Sequence, residues 1–78
     1  MSVSIVIPML EEERALPALL VHIAALDPAP LEVVAADGGS TDRSVAIARE
    51  AGWRVVETAA GRGRQINAGV EAARGELV

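Results

Sequence analysis

From residue 31 to residue 42 the chain reads Leu31-Glu32-Val33-Val34-Ala35-Ala36-Asp37-Gly38-Gly39-Ser40-Thr41-Asp42. Residues 31–36 form a short, mostly aliphatic run, which predicts a buried strand. An acid and two glycines stop this run, and any of Ser40, Thr41 and Asp42 is suited to cap a following helix. The stretch therefore predicts a strand that leads directly into a helix.

A strand and a helix also precede this stretch. Val3-Ser4-Ile5-Val6-Ile7 is mostly β-branched and is followed by Pro8, which predicts a buried strand that ends at the proline. Leucines and isoleucines then recur at three- and four-residue steps over residues 16–26, which predicts one apolar helix face. Because proline is poorly tolerated beyond the first helical turn, Pro17 places the helix start near Arg14 or later. The acids 11–13 are expected at this first turn, where they favour the helix dipole.

Two further units follow. The second helix is expected to stop at Gly52, and residues 54–57 predict a third strand. Residues 61–63 are expected to form a flexible loop before a third helix over residues 64–73, and Glu76 opens a fourth strand. This alternation predicts an α/β fold with a three-layer α/β/α, Rossmann-like parallel sheet of about four strands and three helices, incomplete within this chain. In such sheets ligands bind beyond the carboxyl ends of the strands, near the topological switch point.

Composition narrows the class of protein. The 78 residues are enough for one small domain, residues 1–78, and they carry a net charge of −4, no cysteine and a single aromatic residue, Trp53. The acidic balance argues against a nucleic-acid partner, although a small phosphorylated ligand needs only one or two arginines. The lack of cysteine is consistent with a reducing compartment. No apolar run approaches the ~18 residues of a transmembrane segment, and the first residues lack the basic lead of a secretory signal, so we expect a cytoplasmic chain.

Three groups of residues are candidates for a ligand site. Pro8 fixes the backbone where the first strand leaves the sheet, and Glu12 follows it, although a plain strand end and helix start would explain both. Asp37 stands at the tip of the second strand before two glycines that let the backbone approach a ligand, and an ordinary capped turn is the alternative. Arg62 and Arg64 stand at the start of the third helix, where guanidinium groups and backbone N–H groups can bind a diphosphate. Solvated surface arginines are the plainer interpretation.

Taken together, these groups resemble the family 2 glycosyltransferases of the GT-A fold, and in particular a bacterial subgroup. The resemblance covers essentially the whole chain. Its motifs here are Ser4-Ile5-Val6-Ile7-Pro8, Glu11-Glu12-Glu13, Asp37-Gly38-Gly39-Ser40-Thr41-Asp42, Gly61-Arg62-Gly63 through Asn67-Ala68-Gly69, and Ala73-Arg74-Gly75-Glu76.

The resemblance implies transfer of a sugar from a nucleotide-diphosphate sugar to an unknown acceptor, with this chain as the part that binds the donor nucleotide. Pro8 and Glu12 would line the nucleoside pocket, and Asp37 would face the base or the ribose. Arg64, and secondarily Arg62, would lie near the diphosphate. Asn67 would support that loop.

Two positions depart from the family's pattern. Glu11 stands where the family usually has Asn, and Gly38 stands where many relatives have a second aspartate that contacts the base. The choice among uridine, guanosine and thymidine is therefore left open. Gly38 stays among the candidate nucleotide-binding residues through its backbone.

The resemblance also implies a divalent cation. The family's Asp-x-Asp metal motif would come a few residues after Val78, and the acceptor domain and catalytic base would lie further on. We therefore expect Mg²⁺ or Mn²⁺ in the complete enzyme, with no metal ligand and no catalytic residue within this chain. Sugar transfer by the 78 residues alone is not expected.

Two other hypotheses remain beside this one. A dinucleotide-binding Rossmann domain needs Gly-x-Gly-x-x-Gly directly after the first strand, but residues 8–13 contain three acids and no glycine. A non-catalytic fragment would instead act by pairing with another chain, and the edge left by a short fourth strand would make it a homo-oligomer.

Overall fold

The computed structural model describes residues 3–27, 29–74 and 76–77. In chain order the elements are β1 (Val3–Met9), α1 (Leu16–Ala24), β2 (Glu32–Asp37), α2 (Ser44–Glu50), β3 (Arg54–Glu57), α3 (Arg62–Ala72) and β4 (Glu76–Leu77). The strands form one sheet in the order β3-β2-β1-β4, and every neighbouring pair is parallel. The predicted α/β fold is confirmed.

The strand order places the topological switch point beside β1. The chain steps from β1 to β2 to β3 in one direction and then returns across the sheet to set β4 on the other side of β1. Right-handed crossovers place α1 and α2 on one face and α3 on the other. The contacts agree, since α1 packs against α2 whereas α3 packs on the strands. A ligand is therefore expected at the carboxyl edge near β1.

The side-chain alternation of the strands divides the interior between the two faces. In the described part of the chain, the core on the side of α1 and α2 is a cluster of buried residues, namely Met9, Leu16, Val33, Ala35, Ala48 and Trp53. On the opposite face α3 comes so close to β1 that a Cβ atom built on Gly69 would collide with Val6 Cγ1. Small aliphatic side chains thus let a helix rest almost directly on a strand.

Pro8 does not end the first strand, because β1 continues through it to Met9. Val3 O accepts the N–H of Leu31, and Met9 O accepts the N–H of Gly38, so the odd-numbered residues of β1 bond to β2. Pro8 is even-numbered, and its nitrogen faces the other side. The missing N–H therefore costs the β1–β2 ladder nothing.

The placement of the acids 11–13 and the start of α3 also differ from the sequence-based expectation, whereas the start of α1 agrees with it. Helix α1 begins at Leu16, with Pro17 in its first turn, so the acids 11–13 lie in the preceding loop and not in the helix. Helix α3 begins at Arg62, so residues 61–63 are not a flexible loop. Gly61, with a φ of 140°, turns the chain into α3, and its carbonyl accepts the Gln65 N–H at 2.9 Å to close the first turn. Gly75, the expected stop of α3, lies outside the described residues.

Among the described residues, no helix has both the length and the apolar character needed to cross a membrane.

Candidate functional site

A cavity of about 320 Å³ opens beside the carboxyl end of β1. It is lined by Ile7, Pro8, Met9, Glu12, Ala15, Leu16 and Leu19. Among the described residues that line it, Glu12 is the only charged one. The structure therefore brings together Pro8 and Glu12, the first predicted pair. A larger cavity of about 410 Å³ lies at the opposite, amino-terminal edge beside Trp53, away from every predicted site residue.

The loop that carries Glu12 is held by side chains of the loop after β2 and of the first residue of α2. Three consecutive backbone N–H groups each donate to one of these side chains: Glu11 to Ser40 Oγ (2.9 Å), Glu12 to Ser44 Oγ (2.8 Å) and Glu13 to Asp42 Oδ2 (3.2 Å). The polar residues after Asp37 therefore do more than start a helix, because they bind the backbone of a loop about 30 residues earlier in the chain.

The acids of the first loop return these contacts. Glu11 Oε1 accepts the Thr41 N–H at 2.6 Å and the Thr41 hydroxyl at 3.1 Å, and Glu13 Oε1 accepts the Arg43 N–H at 3.1 Å. Glu11 has a φ of 53°, a left-handed conformation that costs a residue with a β-carbon about 1 kcal/mol. Asparagine tolerates this conformation better. The Asn-to-Glu departure thus gives up backbone ease and gains two hydrogen bonds to Thr41.

Asp42 is the capping candidate that bonds to the start of α2, although the residue in the N-cap position is Arg43, whose side chain makes no capping hydrogen bond. Asp42 Oδ1 accepts the Ser44 N–H at 2.8 Å, while Oδ2 accepts the Glu13 N–H. The hydrogen bond from the Ser44 side chain is the main cause that lowers the pKa of Asp42, and the backbone bonds from Ser44 and Glu13 act in the same direction. The carboxylate is therefore held ionised where both loops need it as an acceptor.

Asp37 lies at the same sheet edge as Pro8, because Met9 is opposite Asp37 in the β1–β2 register. Its carboxylate, however, is only 1% exposed and holds its own turn. Oδ2 accepts the N–H groups of Gly39 (3.1 Å) and Ser40 (2.9 Å), and Oδ1 accepts the Ser40 hydroxyl (2.5 Å). These contacts of the Asp37 carboxylate are those of a capped turn, and Asp37 does not line the cavity.

Gln65 is a residue of this edge that the sequence analysis did not single out. It is 5% exposed, and its Nε2 donates to Met9 O (2.8 Å) and Ala36 O (3.1 Å), the carbonyls at the ends of β1 and β2. Its Oε1 accepts the Gly61 N–H at 3.2 Å. A Cβ atom on Gly38 would lie 2.9 Å from Gln65 Cδ, so Gly38 makes room for this amide. The feature of the sequence that could have identified Gln65 is its spacing, because it is a polar residue four positions before Gly69, on the buried face of α3.

Arg62 and Arg64 lie at the N-terminus of α3 and are both exposed. The stem of Arg64 packs back towards Gly61, with its Cβ, Cγ and Cδ 3.7–4.0 Å from the position that a Cβ on Gly61 would take. In the part of the chain that the structure describes, the ion pairs join other arginines, so neither guanidinium is paired with a carboxylate. Asn67 is exposed two residues beyond Gln65, about 200° around the helix, and so it faces away from the sheet.

Within residues 3–27, 29–74 and 76–77, no group of three or more acidic or histidine side chains is arranged to hold a metal ion.

The sequence matches the family model described as glycosyl transferase family 2 over residues 4–78. Similar proteins include uncharacterized glycosyltransferases of Mycobacterium tuberculosis and Mycobacterium bovis, each 38% identical over 78 residues. These alignments cover 99% of this chain and 34% of each relative. The chain thus spans about a third of the length of the curated relatives it matches.

Solved structures show the same architecture. Glucosyl-3-phosphoglycerate synthase from Mycobacterium tuberculosis, in complex with Mn²⁺, uridine diphosphate and glucosyl-3-phosphoglycerate, matches with a TM-score of 0.82 and 26% identity over 99% of this chain and 32% of that chain. A second mycobacterial protein matches with a TM-score of 0.84 and 30% identity over 99% of this chain and 29% of its own. The GT-A fold is therefore shown. With that fold, its strand-end loops and a family model that extends from Ser4 to the last residue, the chain belongs to glycosyl transferase family 2.

Proposed function

We propose that this chain is the donor-nucleotide-binding part of an enzyme that transfers a sugar from a nucleoside diphosphate sugar to an acceptor. The observation that carries the proposal is the meeting of two features at the carboxyl edge of the sheet. One is the cavity shared by Pro8 and Glu12, and the other is the N-terminus of α3 with the unpaired Arg62 and Arg64. An apolar slot with one carboxylate suits a nucleoside, and guanidinium groups at a helix N-terminus suit a diphosphate.

The proposed roles follow from these positions. The nucleoside would lie in the cavity, with Glu12 accepting a hydrogen bond from a ribose hydroxyl or a base N–H. Arg64, with Arg62 beside it, would bind the diphosphate. Asp37 is only 1% exposed and its Oδ1 accepts the Ser40 hydroxyl, so a contact of this carboxylate with the ligand requires the turn around Ser40 to open.

Two of the predicted residues take a different place in this proposal. Gly38 would act by admitting Gln65, and Gln65 takes over the support of the α3 start that the resemblance assigned to Asn67. Asn67 remains a candidate for contact with parts of the ligand that extend past the diphosphate.

In the proposed reaction, an acceptor hydroxyl oxygen forms a bond to the anomeric carbon of the sugar. The bond from that carbon to the diphosphate oxygen breaks, and the hydroxyl proton passes to a base outside this chain. A divalent cation would add to the two arginines in offsetting the charge of the departing diphosphate. We therefore propose that the complete enzyme uses Mg²⁺ or Mn²⁺ held by residues outside this chain, that the chain alone transfers no sugar, and that the enzyme is cytoplasmic. The Mn²⁺ in the related synthase supports the metal.

A nucleotide titration tests the proposal. The ¹⁵N-labelled chain is titrated with UDP, GDP and TDP, and amide shifts are followed by NMR. We expect saturable shifts at residues 8–13 and 61–65 with one base preferred. Arg64→Ala should weaken binding about tenfold, the effect of losing one charge-assisted hydrogen bond.

Arg49→Ala is the matched control, because it removes the same charge from an exposed site whose ion pair with Glu57 contributes little to stability. Its affinity should equal that of the unmodified chain. Shifts that are spread evenly over the surface, or equal losses in both variants, would refute a nucleotide site at this edge.

A second candidate function is self-association. In the described chain β4 pairs with β1 only at Val3 and Ser4, so the even-numbered positions Val6 and Pro8 are left without a strand partner on that side. Such an edge recruits strands from other chains. Light scattering from 10 µM to 1 mM, on the order of the concentrations at which weak edges pair, should then show a mass that rises with concentration. A constant monomer mass would exclude this function.

A further inference from the structure

Ser44 is a buried serine whose hydroxyl serves a loop other than its own. It is 0% exposed at the first position of α2, and its Oγ accepts the N–H of Glu12, 32 residues earlier in the chain. The Asp42 carboxylate accepts the Ser44 N–H through Oδ1 and the Glu13 N–H through Oδ2. A chain of hydrogen bonds thus runs from α2 into the loop that ends at α1.

Both backbone polar groups of Glu12 are held by hydrogen bonds. Its N–H is bound by Ser44, and its carbonyl oxygen accepts the N–H groups of Ala15 and Leu16, each at 3.0 Å, where α1 begins. With both backbone groups held, the direction of the Cα–Cβ bond of Glu12 is set. That direction brings Glu12 to the cavity that it shares with Pro8.

Capping of α2 does not require the Ser44 hydroxyl. The Ser44 N–H is already bound by Asp42 Oδ1 at 2.8 Å, and the hydroxyl points away from the helix to Glu12. Ser44 therefore has a role towards the neighbouring loop that its position in α2 does not explain.

We propose that Ser44, assisted by Asp42, is a positioning residue of the nucleoside pocket. It orients Glu12 through the backbone and does not touch the ligand. The inference rests on the proposed function, because the pocket that Ser44 shapes is the one proposed to bind the nucleoside.

Ser44→Ala tests the inference, and Ser4→Ala is its matched control. Both serines are 0% exposed, and Ser4 donates to Glu32 Oε2 at 2.8 Å at the opposite end of the sheet. Two quantities are measured in the 78-residue chain by NMR: the hydrogen-exchange rate of the Glu12 amide and the dissociation constant for UDP. Ser44→Ala should raise the first and weaken the second, each about tenfold, as the loss of one hydrogen bond predicts. Ser4→Ala should leave both unchanged even where it lowers the melting temperature equally.

Conservative and milder variants complete the test. Ser44→Thr restores the hydroxyl and should recover most of the UDP affinity. Ser40→Ala, at a less buried position, releases the Glu11 N–H and Asp37 Oδ1 but leaves the bond from Glu12 to Ser44 in place, so it keeps the test available if Ser44→Ala does not fold. It should speed exchange at Glu11 and weaken UDP about threefold, a fraction of the effect of one hydrogen bond.

The outcomes separate the inference from the function on which it rests. An unchanged Glu12 exchange rate in folded Ser44→Ala, or an equal loss of UDP affinity in Ser4→Ala, refutes the positioning role alone. A wild-type chain that shows no saturable shifts with UDP, GDP or TDP refutes the proposed nucleotide site, and with it the role assigned to Ser44 there.

Discussion

At the scale of single residues, carbonyl groups at the strand ends determine which side chains the site can hold. Met9 O accepts two hydrogen bonds, from the Gly38 N–H at 3.0 Å and from Gln65 Nε2 at 2.8 Å, which uses both of its lone pairs. A buried amide can replace water there only because Gly38 leaves it space. The glycine after Asp37 is therefore part of a packing arrangement as well as of a turn.

Gly38→Ala should destabilise the chain. The new methyl group would lie 2.9–3.0 Å from three atoms of the Gln65 amide, so the amide must move and lose its bonds to Met9 O and Ala36 O. We expect a loss of about 1–3 kcal/mol in the free energy of unfolding, the usual effect of leaving buried polar groups unpaired. Urea unfolding followed by circular dichroism measures it.

Gly63→Ala is the control for this substitution. A Cβ atom on Gly63 meets nothing within 4 Å in the first turn of α3. Alanine should therefore stabilise the helix by up to about 1 kcal/mol. If Gly38→Ala were as stable as Gly63→Ala, the packing of Gln65 on Gly38 would be wrong.

Sequence reasoning reached some of these residues and missed others for physical reasons. The structure brings Pro8 and Glu12 to one cavity, as their sequence positions predicted, because both stand at the carboxyl end of the same strand. Asp37 was expected to face a ligand, but spacing does not reveal that Ser40 would occupy its carboxylate. Gln65 was missed because a buried amide is recognised by the carbonyls that it meets, and those belong to β1 and β2.

At the scale of elements, the short distance between α3 and β1 depends on one pair of residues. Gly69 lies against Val6, which lets the helix axis approach the sheet. The same approach brings Gln65, one helical turn earlier, within reach of the strand-end carbonyls. Packing in the middle of the helix thus sets the geometry at its N-terminus.

A double-mutant cycle at Gly69 and Val6 tests this dependence. Gly69→Ala alone should lower the free energy of unfolding by about 1–3 kcal/mol, because overpacking outweighs the better helix propensity of alanine. In a Val6→Ala background the same change should cost much less, since the colliding methyl groups are gone. The difference, measured by urea unfolding of the four chains, is expected to exceed 0.5 kcal/mol, roughly the scale of coupling between touching residues. Strict additivity would show that the two residues do not touch.

Element boundaries show where local patterns suffice. Strand β3 was predicted at residues 54–57 and is found there, because Gly52 and a β-branched pair define both of its ends locally. The start of α3 was misplaced by two residues, and the acids 11–13 were wrongly placed in the first turn of α1. Carboxylates of the acidic run 11–13 accept backbone N–H groups near the start of α2. The backbone conformation of Gly61 makes α3 begin two residues before the predicted start. Both features involve contacts or dihedral angles that residue type alone does not specify.

At the scale of the whole molecule, one carboxylate links the amino-terminal edge of the sheet. Glu32 of β2 accepts hydrogen bonds through Oε2 from the Ser4 hydroxyl of β1 (2.8 Å) and from the Arg74 N–H after α3 (2.5 Å). Its side chain is 9% exposed, and its Oε1 lies 3.8 Å from Arg74 Nε. The backbone bond from Arg74, followed by the Ser4 bond, lowers the pKa of Glu32.

The stability of the chain should therefore fall in acid. Glu32 and Asp42 have lowered pKa values in the folded state, so the folded chain holds fewer protons than the unfolded one near pH 4. Their stabilisation is complete above the ordinary carboxyl pKa of about 4 and is lost as the pH falls through the lowered values. Urea unfolding between pH 7 and pH 2.5, roughly the span of carboxyl titration, should show this decline.

Glu32→Gln identifies the share of Glu32 in this decline. The variant should be less stable at pH 7 and should lose less stability on acidification than the unmodified chain. Glu57→Gln, at an exposed position of β3, should leave the profile unchanged. Parallel profiles for all three chains would contradict the role of Glu32.

The position of Trp53 provides a built-in way to distinguish ligand occupancy from loss of structure. This residue is the only aromatic side chain of the protein, is 8% exposed, and immediately precedes β3, so it lies at the edge of the sheet opposite to Pro8 and Glu12. Its fluorescence should redshift when the core opens and stay constant when a small molecule occupies the far edge. The emission of this one indole, recorded during any titration of the chain, would thus distinguish unfolding from ligand binding.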